Sequence, residues 1–169
     1  MRPPVLDKGG FCMPEIRFRN AVESDLPDIL ALFRTLDEAM VELQPEFFCA
    51  APRSEAELRN TLGRTDASFV LAQAEGRTVG FVLVAYAGWT PSFSALLPHR
   101  YAELCDLVVA PEWRGQGIGS QLVAAAKRWA RDRRLEYLEL NVLSQNDAAI
   151  ALYESHDFVE ATRTMRCML

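Results

Sequence analysis

The sequence predicts a single mixed α/β domain, and three observations predict it. Stretches with apolar residues at every second position alternate with stretches at helical spacing, as expected of strands and helices packed in layers. The chain is 169 residues long, which suits one domain and would cramp two cores. No repeat period or internal linker interrupts it. Half of the residues are apolar and 24% are charged. A domain of this size buries roughly two-thirds of its unfolded surface, so it needs no metal or disulfide staple. Nine Gly and nine Pro are ordinary usage and exclude collagen-like or low-complexity chains.

Residues 1–14 read as a loose extension before a domain spanning 15–169, and both Met1 and Met13 fit as the start. Ile16 to Arg19 alternates and predicts a strand. Ser24 is placed to cap a helix carrying Leu26, Ile29, Leu30, Phe33, Leu36 and Met40 on one stripe. Gln44 to Ala51 is a connection holding Phe47 and Phe48. Ser54 and Glu57 have the spacing of a capping box, and Gly63 is placed to end that second helix. Ser68 to Ala74 and Thr78 to Tyr86 form a hairpin turning at Glu75-Gly76-Arg77. Ala87 to Arg100 is a loop, and Tyr101 to Val109 is a strand apolar enough to be central. Gly117 to Arg133 is a helix whose basic last turns compensate its dipole. A strand over Leu135 to Val142, a helix over Asp147 to His156 and a strand over Phe158 to Met168 complete the chain.

A net charge of −5 argues against a nucleic-acid backbone as partner and suits a cationic one. Cys12, Cys49, Cys105 and Cys167 are far apart, and with only His99 and His156 beside them they offer no zinc spacing. No metal is expected. No apolar run approaches the roughly 20 residues of a membrane span, and the first residues lack a signal-peptide core. The expected setting is cytoplasmic and reducing, with the cysteines as small core residues.

Residues 107 to 122, LVVAPEWRGQGIGSQL, carry the chemistry. A buried strand runs into a turn with Gly115, Gly117 and Gly119, and a helix follows at once. Free amides at a helix start attract anions, glycine lets them come close, and Arg114 adds charge. A pyrophosphate cradle fits; a purely structural glycine turn is the alternative. The Walker pattern fails for want of a Lys after Gly119. The dinucleotide fingerprint fails on spacing and on its late position.

Arg114-Gly115-Gln116-Gly117-Ile118-Gly119 resembles the Arg/Gln-x-x-Gly-x-Gly/Ala motif of the GNAT superfamily of N-acetyltransferases. The spacing of Asn146, Ala149 and Tyr153 is similar to that family's second coenzyme-facing motif. The resemblance covers roughly residues 15 to 168. One departure is Asp157-Phe158 where the family has Gly-Phe, and Asp tolerates left-handed backbone. The resemblance implies a central mixed, mostly antiparallel sheet with flanking helices. It implies that the central strand ending Leu107-Val108-Val109 splays from the next strand at a bulge. It implies acetyl-CoA as donor, with the pyrophosphate held by the backbone of Gly115, Gln116, Gly117, Ile118, Gly119 and Ser120. Asn146 is then expected on the pantetheine arm and Tyr153 near the thioester sulfur.

The implied reaction is direct attack by a primary amine, with Tyr153 as general acid. Glu103 is the preferred base. Strand alternation places Asp106 on the opposite face, as an anchor beneath the sheet. Cys105 stands where many relatives carry Glu, and a role as acyl-accepting nucleophile is the lesser reading. Glu42, Glu46, Phe47, Phe48, Trp89 and Phe93 are candidates for the acceptor pocket. The expected partner is a small-molecule or peptide amine, with a homodimer as the oligomeric expectation. Competing readings are a non-catalytic acyl-CoA sensor and, more distantly, a Rossmann-type oxidoreductase.

Overall fold

The computed structural model describes residues 14–88 and 97–168. The expected extension (all but Met13's successor Pro14), Cys12, Trp89 and Phe93 lie outside the described residues. Five strands form one sheet in the order β1-β2-β3-β4-β5. The first, β1 (Arg17–Asn20), lies antiparallel beside β2 (Ala67–Ala74). A hairpin joins β2 to β3 (Arg77–Tyr86) through Glu75 and Gly76, at φ +51° and +76°. Two left-handed residues in a row follow the natural twist of a hairpin, and Gly at the second makes the turn cheap. β3 pairs antiparallel with β4 (Ala102–Val109), which pairs parallel with β5 (Leu138–Glu139).

Helix α1 (Leu26–Leu43) and helix α2 (Glu55–Leu62) cover one face of the sheet, over Phe69, Leu71, Phe81 and Val108. Phe33 of α1 meets the Phe69 and Phe81 rings at 6.3 and 4.8 Å. Helix α3 (Ile118–Asp132) covers the other face, over Val82, Val84, Leu104 and Val109. Helix α4 (Asp147–Glu154) follows β5. Both faces being covered explains the unbroken apolar runs of β2 and β3. Among the described residues, no helix is long and apolar enough to cross a membrane.

Cys49, Cys105 and Cys167, expected in the core, are exposed, and three further expectations need correction. Ser24 does not cap α1: a short 3-10 turn over Glu23–Asp25 precedes the helix. The Asp25 carboxylate instead accepts the Val22 N–H at 2.8 Å and both terminal nitrogens of Arg19 at 2.7 Å. Ser54 does cap α2, accepting from the Glu57 N–H at 3.4 Å. The strand expected over 135–142 contracts to Leu138–Glu139, and residues 158–168 form none. A strand exists through its ladder. β5 pairs with β4 only at Ala102–Leu138 and Glu103–Glu139, then leaves it, and the last segment has no strand beside it among the described residues.

The third correction lies inside β4. Leu83 pairs with Asp106 and Val84 with Leu104, so Cys105 is an extra residue in the ladder. Such a bulge shifts the phase of alternation by one. Leu104 before it and Leu107 after it both face α3, opposite Val84 and Val82. Glu103 and Asp106, opposite Ala85 and Leu83, therefore share the α1 face instead of facing apart.

Candidate active site

The site is built where β4 ends. Past Glu103 no strand lies on the β5 side of β4 among the described residues, so alternate backbone groups of Leu104–Val109 open on a gap. Val108 and Val109 keep their side chains in the core, and Leu107 is half-buried. A short turn over Pro111–Trp113 leads to Arg114, whose Nε donates to the Val109 carbonyl at 3.1 Å. Arg114 thus buttresses the turn as well as adding charge to it. Gly115 and Gly117 sit at φ +74° and +76°, and a Cβ at either would meet nothing within 4 Å among the described residues. Among the described residues there is open space over both glycines, and their left-handed backbone is one that glycine adopts without strain.

The first amide of the helix to be paired is that of Gln121, onto the Gly117 carbonyl at 3.2 Å. No backbone bond from the amides of residues 115–120 occurs among the described residues. They combine the orphan donors of a helix start with the positive end of its dipole. Gln116 turns its side-chain amide back to the Glu112 carbonyl at 3.3 Å, and Ile118 is buried, so each offers its backbone. Gly119 has a separate reason: a Cβ there would stand 3.2 Å from Leu152 of α4. That close approach sets α4 beside the junction.

Asn146 caps α4, its Oδ1 accepting the Ala149 N–H at 3.1 Å, so Ala149 spends its amide on the cap. Two turns on, Tyr153 is 9% exposed and packs edge-on against Phe158 at 5.7 Å. Burial, and then the nearby Asp106 charge, push its hydroxyl up to about 12. Asp157 takes φ +64°, the left-handed conformation expected in place of the family's Gly. Lys127 holds the turn by donating to the His156 carbonyl at 2.7 Å.

Across the bulge lie Glu103 and Asp106. Burial raises the Asp106 carboxyl; Arg53 opposes the shift, while Asp37 and Glu103 add to it. No hydrogen bond to the Asp106 carboxylate occurs among the described residues, which removes the reading of Asp106 as an anchor. Arg53 is fixed by Asp37 at 2.8 Å and by the Phe33 ring at 4.0 Å. Burial, with Glu103 and Asp106 beside it, pushes the Cys105 thiol up to about 11. Glu42 and Glu46 stay toward solvent, and Phe47 is 46% exposed under the Arg166 guanidinium at 4.2 Å. Sequence reasoning missed the pairing of Asp106 with Glu103, for which the chain offers no local signal. It also missed Gln44, a buried polar residue at the end of α1.

One further feature belongs to another part of the molecule. A cavity of about 730 Å³, lined in part by Arg19, Arg64, Ser68, Arg128 and Trp129, shares no residue with the glycine junction. Among the described residues, no group of three or more His, Cys, Asp or Glu could hold a metal ion.

The model of the acetyltransferase (GNAT) family matches residues 34–158. Thialysine N-epsilon-acetyltransferase of Bos taurus is 31% identical over 157 residues, covering 88% of this chain and 89% of the bovine protein. Streptothricin acetyltransferase of Streptomyces lavendulae is 31% identical over 122 residues, covering 72% of this chain and 58% of that protein. An uncharacterized N-acetyltransferase of Methanocaldococcus jannaschii is 28% identical, and the match spans 84% of this chain and 60% of that one. Among solved structures, a mutant protein from Bacillus halodurans superposes with a TM-score of 0.85 at 21% identity, over 90% of this chain and 99% of that one. An aminoglycoside N-acetyltransferase in complex with CoA superposes at 0.70 with 18% identity, over 93% and 96%. The fold expected from the glycine junction is the one observed, and the chain belongs to the acetyltransferase (GNAT) family, as an N-acetyltransferase.

Proposed function

We propose that the chain transfers the acetyl group of acetyl-CoA to a primary amine by direct attack within a ternary complex. The observation that carries this reading is the junction itself: unpaired amides at residues 115–120 stand in front of open space, beside the gap between β4 and β5. The amides would hold the pyrophosphate. The freed backbone of Leu107–Val109 and the side chain of Asn146 would hold the pantetheine arm. Relatives named for thialysine, streptothricin and aminoglycosides support a small cationic amine as acceptor.

An ammonium must lose a proton before it attacks. Glu103 and Asp106 share the face on which that proton would leave. Burial lifts Asp106 above the ordinary carboxylate range, toward the working pH of a base. We therefore give Asp106 the proton and Glu103 the neighbouring cation. At about 12, Tyr153 keeps its proton at neutral pH and can donate a hydrogen bond to the departing sulfur. Full transfer to a thiolate of ordinary pKa near 8.5 would be uphill by roughly 5 kcal/mol. Tyr153 thus acts chiefly in the transition state. Coenzyme A release is the test, measured with acetyl-CoA and a panel holding thialysine, lysine, polyamines and aminoglycosides. Turnover with at least one amine is expected. Coenzyme A binding in calorimetry without turnover on any amine would instead identify a sensor.

A further inference from the structure

Gln44 is 8% exposed, an uncommon place for an amide. It follows the last residue of α1 and opens the connection that carries Phe47. Its Nε2 donates to Gln145 Oε1 at 2.6 Å, and its Oε1 accepts from Arg166 Nη1 at 3.1 Å. Arg166 lies over the Phe47 ring. The Ser144 hydroxyl donates to the same Gln145 oxygen at 3.2 Å, and the next residue is Asn146, the cap of α4. Two segments, 101 and 122 residues further along the chain, therefore meet the end of α1 on one side chain. Removing a buried amide from such a meeting leaves two polar partners to find water or each other.

Resting on the acetyl-CoA reading above, we infer that Gln44 is a positioning residue that sets the Asn146 loop against the acceptor connection, with Arg166 as its third arm. Gln44 need not touch either substrate. It acts through Gln145, which fixes the approach of Asn146 to the coenzyme, and through Arg166, which fixes Phe47 on the acceptor side. A purely structural role would lower stability and leave the two segments independent. A positioning role makes the effects of Gln44 and Gln145 on coenzyme affinity non-additive.

The experiment is a double-mutant cycle with Gln44→Leu and Gln145→Ala, read as the Kd of coenzyme A by calorimetry, with melting temperatures taken alongside. Gln44→Leu is expected to weaken coenzyme A about fivefold to tenfold, and to have no further effect in the Gln145→Ala background. Additive losses, or wild-type affinity in a folded Gln44→Leu, overturn the inference. Should Gln44→Leu not fold, the same cycle runs with Arg166→Ala, which reaches Gln44 from the surface segment. That variant is expected to weaken coenzyme A about twofold to threefold, again only when Gln145 is present. No change, or a change that survives loss of Gln145, overturns the inference equally. Wild-type protein that does not bind coenzyme A would refute the acetyl-CoA reading itself, an outcome distinct from each of these.

Discussion

The two sides of the gap beside β4 are made differently. On the side proposed for the coenzyme, residues 115–120 offer backbone amides; Gly115, Gly117 and Gly119 have no side chain, Ile118 is buried, Gln116 turns back onto the turn and Ser120 is half-buried. On the side proposed for the acceptor, Glu103, Asp106, Arg53 and Phe47 offer side chains carried by β4 and by the connection between α1 and α2. A backbone site is fixed by φ and by what a Cβ would occupy. A side-chain site is fixed by charge, burial and long-range packing. The first tolerates little variation and suits a ligand that does not change. The second can be re-lined without disturbing the sheet, which suits an acceptor that differs among relatives.

The sharpest way to break this contrast is a Cβ on the coenzyme side. Gly117 stands at φ +76°, where a β-branched residue is strained whatever the space around it. Gly117→Val is expected to weaken coenzyme A at least a hundredfold, about 3 kcal/mol, with calorimetry as the readout. Retained affinity would mean that the junction's geometry is not what binds.

On the other side, Asp106→Asn is expected to cost at least a hundredfold in turnover, as loss of a general base does. Stability should move the other way. The folded-state pKa of Asp106 lies above its unfolded value, so its favourable contribution is present below the ordinary carboxylate range. That contribution is lost as pH rises through the raised value, and at neutral pH the buried charge costs stability. The amide variant should therefore melt at the same temperature or higher. In the wild type, kcat/KM for the amine should rise with pH across the same interval. That limb should disappear in Asp106→Asn, and it should stay in place when amines of different pKa are compared. Glu103→Gln should cost only about tenfold, mostly in KM; a larger loss there than at Asp106 would exchange their roles.

This division also explains what the sequence shows and what it hides. The glycine junction is legible because its residues are contiguous: Gly115, Gly117 and the start of α3 declare the turn and its donors within a few positions. Asn146 and Tyr153 are legible for the same reason, seven residues apart on one helix. The hairpin at Glu75-Gly76 and the face of α3 follow from local rules as well. The bulge at Cys105 does not, because it is a mismatch between two strands and neither strand alone carries it. Reading β4 as an even alternation separates Glu103 from Asp106; one inserted residue reunites them. The expected last strand fails on the same ground. Residues 158–168 have strand-like composition, but β5 has already left β4, and the local Glu160–Arg163 pair at 2.9 Å needs no ladder. Gln44 is hidden because its partners lie more than a hundred residues on.

Between the two sides stands Tyr153, carried by α4 but under the Asp106 charge. Tyr153→Phe removes one hydroxyl and keeps the ring packed on Phe158. Turnover should fall about ten- to a hundredfold while the Kd of coenzyme A stays within twofold. Because Asp106 raises Tyr153, Asp106→Asn should bring the tyrosine's titration down toward its ordinary value, seen as phenolate absorbance in alkaline solution. Unchanged turnover in Tyr153→Phe would remove the hydroxyl from the reaction and leave its ring as packing.

The smallest effect is expected at Cys105, where the contrast between a backbone role and a side-chain role is cleanest. The bulge needs a residue there, but not a thiol. With its proton held up to about 11, only about one thiol in ten thousand is ionised at neutral pH, so it is a poor nucleophile. Cys105→Ser keeps size and chain geometry and removes that chemistry. Turnover within about threefold of wild type, with no acetyl group on Cys105 by intact-protein mass spectrometry, is the outcome that direct attack requires. A loss beyond a hundredfold, with acetylated wild-type protein accumulating before the amine is added, would replace direct attack by a covalent route through the bulge.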